Sequence, residues 1–147
     1  MLGIIFVLIS IALFIGFLLM GSNVINIDAI RRSGLEKEIR VNMATVDAAL
    51  QNYKTAQRQF PTGGSWQDSV FPEYGRQPVF SFNYSLSLEV VSGTRYLCLS
   101  ADADKNTKEA FINLETKMPT QYKKGLSCGV SEIIDAENET VVLSYSI

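Results

Sequence analysis

The chain has 147 residues, a net charge of −2 and no histidine. That length suits one domain with one modest core. The near-neutral balance gives a general nucleic-acid binder no electrostatic footprint, and the missing histidine removes the commonest general base and the commonest metal ligand together.

Residues 1–27 carry no charge. Met1 to Met20 reads MLGIIFVLISIALFIGFLLM, interrupted only by Gly3, Ser10 and Gly16. About 20 apolar residues at a rise of about 1.5 Å cross the hydrocarbon core of a bilayer. Met1, Gly3, Ile5, Phe6, Leu8, Phe14, Gly16 and Leu19 are therefore expected on a helix that lies in lipid or in the core of a polymer. A cleaved secretory signal fits poorly, because no basic residue precedes the apolar run, the run is too long and no A-x-A follows. A membrane helix normally carries Lys or Arg on its cytoplasmic side. Here Arg31, Arg32, Lys37 and Arg40 all follow it. Either the C-terminal part is cytoplasmic, or a basic leader has been removed and Met1 is a processed N-terminus. The cysteine pair and the composition of the remaining chain favour the second.

After a weak stretch at Gly21-Ser22-Asn23, a helical pattern resumes. Leu35, Ile39, Met43, Val46, Leu50 and Tyr53 recur at steps of three and four, an apolar stripe on an amphipathic helix over 28–57. Glu36, Glu38, Lys37 and Arg40 are candidates for weak ion pairs. Phe60-Pro61 and Gly63-Gly64 are stop signals. The first half of this long helix is apolar all round. The second half is expected to pack its stripe on a globular head spanning 58–147.

The stretch 62–78 reads as an irregular loop, with Trp66, Phe71 and Tyr74 as packing residues. Phe80, Phe82, Tyr84, Leu86, Leu88 and Val90 alternate with polar residues, the pattern of a half-buried strand. Ser92-Gly93 marks a hairpin turn and 96–100 the returning strand. Asn106 or Thr107 is expected to cap a short helix that runs to about Met118 and stops before Pro119. Val141, Leu143, Tyr145 and Ile147 predict a final strand. The expected class is α+β, with an antiparallel sheet of about four strands lying on the helix stripe. Cys98 and Cys128 are the only cysteines and most simply form one disulfide.

An all-apolar N-terminal helix, an amphipathic continuation, a loop, an antiparallel sheet and a late cysteine pair together resemble the type IV pilin family. The likeness of architecture covers the whole chain and is most specific in residues 1–61. There VNMATVDAALQNYKTAQRQFP resembles the end of the pilin helix. Met rather than Phe at the first mature position is similar to the type IVb branch. The resemblance implies that Cys98 and Cys128 bound the family's C-terminal disulfide region. It also implies a single-pass subunit waiting in the inner membrane with its head outside the cytoplasm. A prepilin peptidase removes the leader, and the assembly machinery adds the subunit to a homopolymer or a mixed pilus.

The chain departs from the family at its fifth position, where Ile5 replaces the usual Glu and residues 2–9 hold no acid. The N-terminal ammonium of a neighbouring copy would lack a carboxylate in the apolar core, which is costly. A minor or tip role, a different or modified N-terminus, or apolar packing through Gly3 and Gly16 would each accommodate this. The family's Pro near the end of the membrane segment is also missing, and Gly21 is the nearest substitute.

Other constellations are weaker. Asp102, Asp104 and Asn106 match the first half of a calcium loop, but no Gly follows and Asn113 stands where the bidentate Glu belongs. A polar turn with a helix cap accounts for them better. Arg31-Arg32 could meet lipid headgroups before assembly, and Asn138-Glu139-Thr140 is a chance-level glycosylation match. No catalytic set, phosphate loop or cofactor motif emerges. The leading expectation is a major or minor pilin, held in the inner membrane and then exported into an extracellular filament. The rivals are a pseudopilin of a type II secretion system and a membrane-anchored binding module whose first 27 residues act only as an anchor.

Overall fold

In the computed structural model of the chain, the described residues are 10–15 and 27–147 apart from Ala136. Residues 10–15 are helical. Helix α1 spans Ile27–Gln57, α2 Trp66–Val70 and α3 Lys105–Lys117, while the strands are β1 Tyr84–Val91, β2 Thr94–Asp102, β3 Tyr122–Gly125 and β4 Thr140–Ser146. Arg32–Ile147 form one compact unit. The chain is thus α+β, a long helix with a four-stranded antiparallel sheet in the order β1-β2-β4-β3.

Helix α1 is long because nothing in it opposes helix. It contains no proline and one glycine, and its interior holds several alanines. Asp28 in its first turn and Lys54 in its last complement the helix dipole. It ends where Arg58 adopts a left-handed φ of 58°. Leu35, Ile39, Met43, Val46 and Leu50 are buried, as is Ala49 between them, and Tyr53 packs half-buried at the end of the stripe. Gly75 lets the following loop press on this helix, since a Cβ there would sit 2.5 Å from the Ala49 Cβ.

The sheet presents one apolar face to that stripe. Leu97, Leu99 and Ala101 of β2 share a core with Leu86, Val141, Leu143, Tyr145 and the α1 residues. Their alternates face the other way. Cys98 lies opposite Ser87 and Ser144 across the ladder. It is nonetheless buried, because the chain around Cys128 crosses over this second face. Gly129 N–H donates to the Ser144 hydroxyl at 2.7 Å, and Lys123 donates to the Tyr96 hydroxyl at 2.9 Å and to Gly129 O at 3.2 Å. A side chain at Gly129, where φ is +77°, would also meet the Tyr96 ring at 3.0 Å. The Cys98–Cys128 disulfide closes this flap, with 5.8 Å between Cα atoms and 30 residues of separation. On a chain-entropy basis such a closure contributes about 3–4 kcal/mol.

Several expectations shift in detail. The strand over Phe80–Val90 begins only at Tyr84. Residues 79–82 are instead tied to α1: Glu38 accepts from Ser81 N–H at 2.5 Å and from its hydroxyl at 2.8 Å, and Asn42 donates to Val79 O at 2.7 Å. Val90, expected to point inward, is 61% exposed because it sits at the hairpin end, beyond the reach of the core. The turn itself matches expectation, with positive φ at both Ser92 and Gly93, the geometry that suits a two-residue hairpin loop. The loop 62–78 contains the short helix α2, which buries Trp66 and Val70. Strand β3 falls between the expected helix and the expected final strand, where Lys123 and Lys124 disguise an edge strand.

Truncating the stripe should be expensive. Met43→Ala, at a fully buried position, is expected to lower unfolding stability by about 2–5 kcal/mol. Ala48→Ser, on the same helix and exposed, should change it by less than about 0.5 kcal/mol. Denaturant unfolding of the full chain in detergent measures both.

Candidate functional site

A groove of about 670 Å3 lies between α1 and the α3–β3 corner. Ser33, Glu36, Lys37, Arg40, Val41 and Ala44 line it from α1. Lys117, Met118, Gln121, Tyr122 and Tyr145 line it from the other side. Three cations and one acid thus face the same space.

Glu36 holds the two walls together. It sits on the edge of the apolar stripe and is buried, so its charge needs partners. Asn113 Nδ2 donates to Oε1 at 2.7 Å, and Lys117 ion-pairs with Oε2. Arg32 pairs with Glu109 one turn back along both helices. These contacts fix α3 beside α1, with Ala110, Phe111 and Leu114 buried beneath. Lys37 and Arg40 form no ion pair among the described residues.

The floor is a pair of tyrosines. Tyr122 and Tyr145 face each other across β3 and β4, rings 5.2 Å apart and edge to face. Gln121 donates to the Tyr145 hydroxyl at 3.0 Å, and that hydroxyl donates to Asp47 at 3.3 Å. Burial, then the nearby Tyr145, push the Tyr122 phenol up to about 12, against the opposing pull of Arg40. Tyr145 is raised too, by burial first and by the Asp47 charge next. Both phenols are neutral at physiological pH. The groove therefore offers fixed positive charge above an uncharged, hydrogen-bonding floor, an arrangement suited to holding a carboxylate or another anion.

The stretch that half-matches a calcium loop is the polar turn and helix cap that account for it better. Asp104 is the N-cap of α3, accepting from Asn106 N–H at 2.8 Å, from Thr107 N–H at 3.2 Å and from the Thr107 hydroxyl at 2.6 Å. This corrects the expectation that Asn106 or Thr107 would be the cap. An Asp two residues earlier can reach both free N–H groups, and the helix gains a turn start at Lys105. Asp102 accepts from Asn83 Nδ2 at 3.1 Å. Among the described residues no group of three His, Cys, Asp or Glu is placed to hold a metal.

Of the residues assigned to the apolar N-terminal helix, Met1, Gly3, Ile5, Phe6, Leu8, Gly16 and Leu19 lie outside the described residues. Phe14 is in the helical stretch 10–15 and is 66% exposed. Among the described residues no helix is long and apolar enough to cross a membrane. The groove itself was not foreseen. Its signal in the sequence was slight: Glu36 interrupting an apolar stripe, and Lys37 and Arg40 three apart beside it.

Comparison with protein-family models, curated proteins and solved structures finds no match.

The tyrosine floor makes stability fall in alkali. Unfolded tyrosine ionises near 10, whereas folded Tyr122 holds its proton to about 12. Between those values the unfolded chain binds fewer protons than the folded one. Folding free energy is thus intact below about pH 10 and declines by up to roughly 2–3 kcal/mol as pH rises to about 12. Denaturant midpoints across this range should fall for the wild type and fall less for Tyr122→Phe.

Proposed function

We propose that this chain is a structural subunit, major or minor, of a type IV pilus-like extracellular filament with a pilin-like fold. The observation that carries the reading is one of continuity. A stretch of 27 residues without charge leads directly into the helix whose stripe forms the core of a disulfide-bonded α+β unit. A head built on the end of its own apolar segment is suited to display on a polymer of such segments.

In this reading the apolar segment lies in lipid first and among copies of itself afterwards. Close packing rather than release of water drives that exchange, so small residues such as Gly3 and Gly16 set the approach of the helices. The partners are further copies of the chain, the inner-membrane assembly machinery with its prepilin peptidase, and membrane lipid before assembly. The disulfide supports a filament exposed outside the cell, where thiols are oxidised. The reading assigns the chain no catalysis and no cofactor.

Replacing residues 1–27 by an unrelated single-pass helix of equal length tests it. The variant should remain in the membrane with a folded, oxidised head, and should be absent from sheared surface filaments. Filament incorporation at the wild-type level would contradict the proposal and favour an anchor that any membrane helix can supply.

A further inference from the structure

We propose that the cationic groove receives the acidic segment 133–139 of a second copy of this chain, in a head-to-tail contact. Only the setting in which the contact operates rests on the filament reading. The contact itself follows from charge and placement.

The groove is the receiving side. Lys117 is neutralised by Glu36, but Lys37 and Arg40 are exposed and form no ion pair among the described residues. Beside them Val41 is 57% exposed, and Ala44 and Met118 complete an apolar strip. Two uncompensated cations next to exposed apolar surface call for a segment that carries both acid and an aliphatic side chain.

The chain carries such a segment. SEIIDAENET, residues 131–140, contains four acids and no base. Glu132 is engaged internally, accepting from Leu126 N–H at 2.9 Å. Asp135, Glu137 and Glu139 are exposed, and none of them is ion-paired among the described residues. Ile133 is 81% exposed, the most exposed large apolar residue described. Its burial against Val41 and Met118 would add the non-polar component that surface charge pairs lack.

The two surfaces cannot meet within one copy. The acidic segment is fastened at the start of α3, where Lys108 donates to Asp135 O at 2.8 Å and Ala103 N–H donates to Glu139 O at 2.9 Å. The groove lies at the other end, at Lys117 and Met118. Thirteen helical residues separate the ends, about 20 Å at the helical rise. Made head to tail, such a contact leaves one groove and one acidic segment free on every pair, so it can propagate along a row of copies. Opposite charge steers and orients such a contact. Its weakness as a single pair suits subunits already held side by side, where effective concentration is high.

The test uses the full chain in detergent micelles, as an equal mixture of isotopically heavy and light copies, treated with a carbodiimide that joins amines to carboxylates. Mixed-isotope links from Lys37 to Glu137 or Glu139 are expected. The yield of the Lys37–Glu137 link, whose amine and carboxylate both remain, should drop several-fold in R40E and in E139K, and rise again when these two variants are mixed. That recovery also shows that both variants fold. Absence of mixed-isotope links, or links indifferent to charge reversal, would overturn the proposal. If filaments assemble without these links, the contact is wrong and the filament reading stands. If the links form and no filament does, the contact stands and the filament reading falls.

Discussion

Removal of one face of α1 from water is the constraint on which the rest of the head depends. Leu35, Ile39, Met43, Val46, Ala49 and Leu50 form a continuous apolar ridge on which the sheet's inner face closes. Each large aliphatic side chain so buried contributes about 1.5–3 kcal/mol. The ladder of Leu86, Leu99 and Leu143 across three strands would otherwise stand in solvent. Helix α3 adds Phe111 and Leu114 to the same core.

Polar contacts then decide how the layers are oriented on that ridge. Glu38 and Asn42 tie down residues 79–81 on one side of the helix. Glu36 and Arg32 hold α3 on the other. On the outer face of the sheet the disulfide-closed flap covers Cys98, with the Gly129–Ser144 hydrogen bond as a second fastening. A small unit with one core thus gains a covalent closure where apolar burial is thinnest. The groove is a by-product of this arrangement. It opens where α3 ends and the chain turns into β3, leaving Arg40 above two neutral phenols.

Period and punctuation made most of the fold legible. The stripe at steps of three and four, the alternation through Leu86 and Leu88, the Ser92-Gly93 turn and the terminal strand each rest on local pattern, and the structure places them as expected. The disulfide was legible because the chain has two cysteines in a head read as lying outside the cytoplasm. What escaped depends on partners distant in sequence. Strand β3 is held by pairing with β4 and by lysines bonded to Gly129 and Glu132, so no alternation marks it. Phe80 and Phe82 continue an alternating run, yet Glu38, more than 40 residues earlier, withdraws their neighbour Ser81 from the ladder. The groove was invisible for the same reason: Lys37 and Arg40 look like a solvated face until Tyr122 and Lys117 are brought opposite them.

The filament proposal joins two parts of the chain whose physics differ, an uncharged segment that water rejects and a head that water accepts. The most direct test is electron microscopy of material sheared from the source cells, with mass spectrometry of the filaments recovered. The account predicts thin filaments that contain this chain, abundant if it is a major subunit and sparse if it is a minor one. Retention of the whole population in the membrane fraction, with none in any filament, would contradict it.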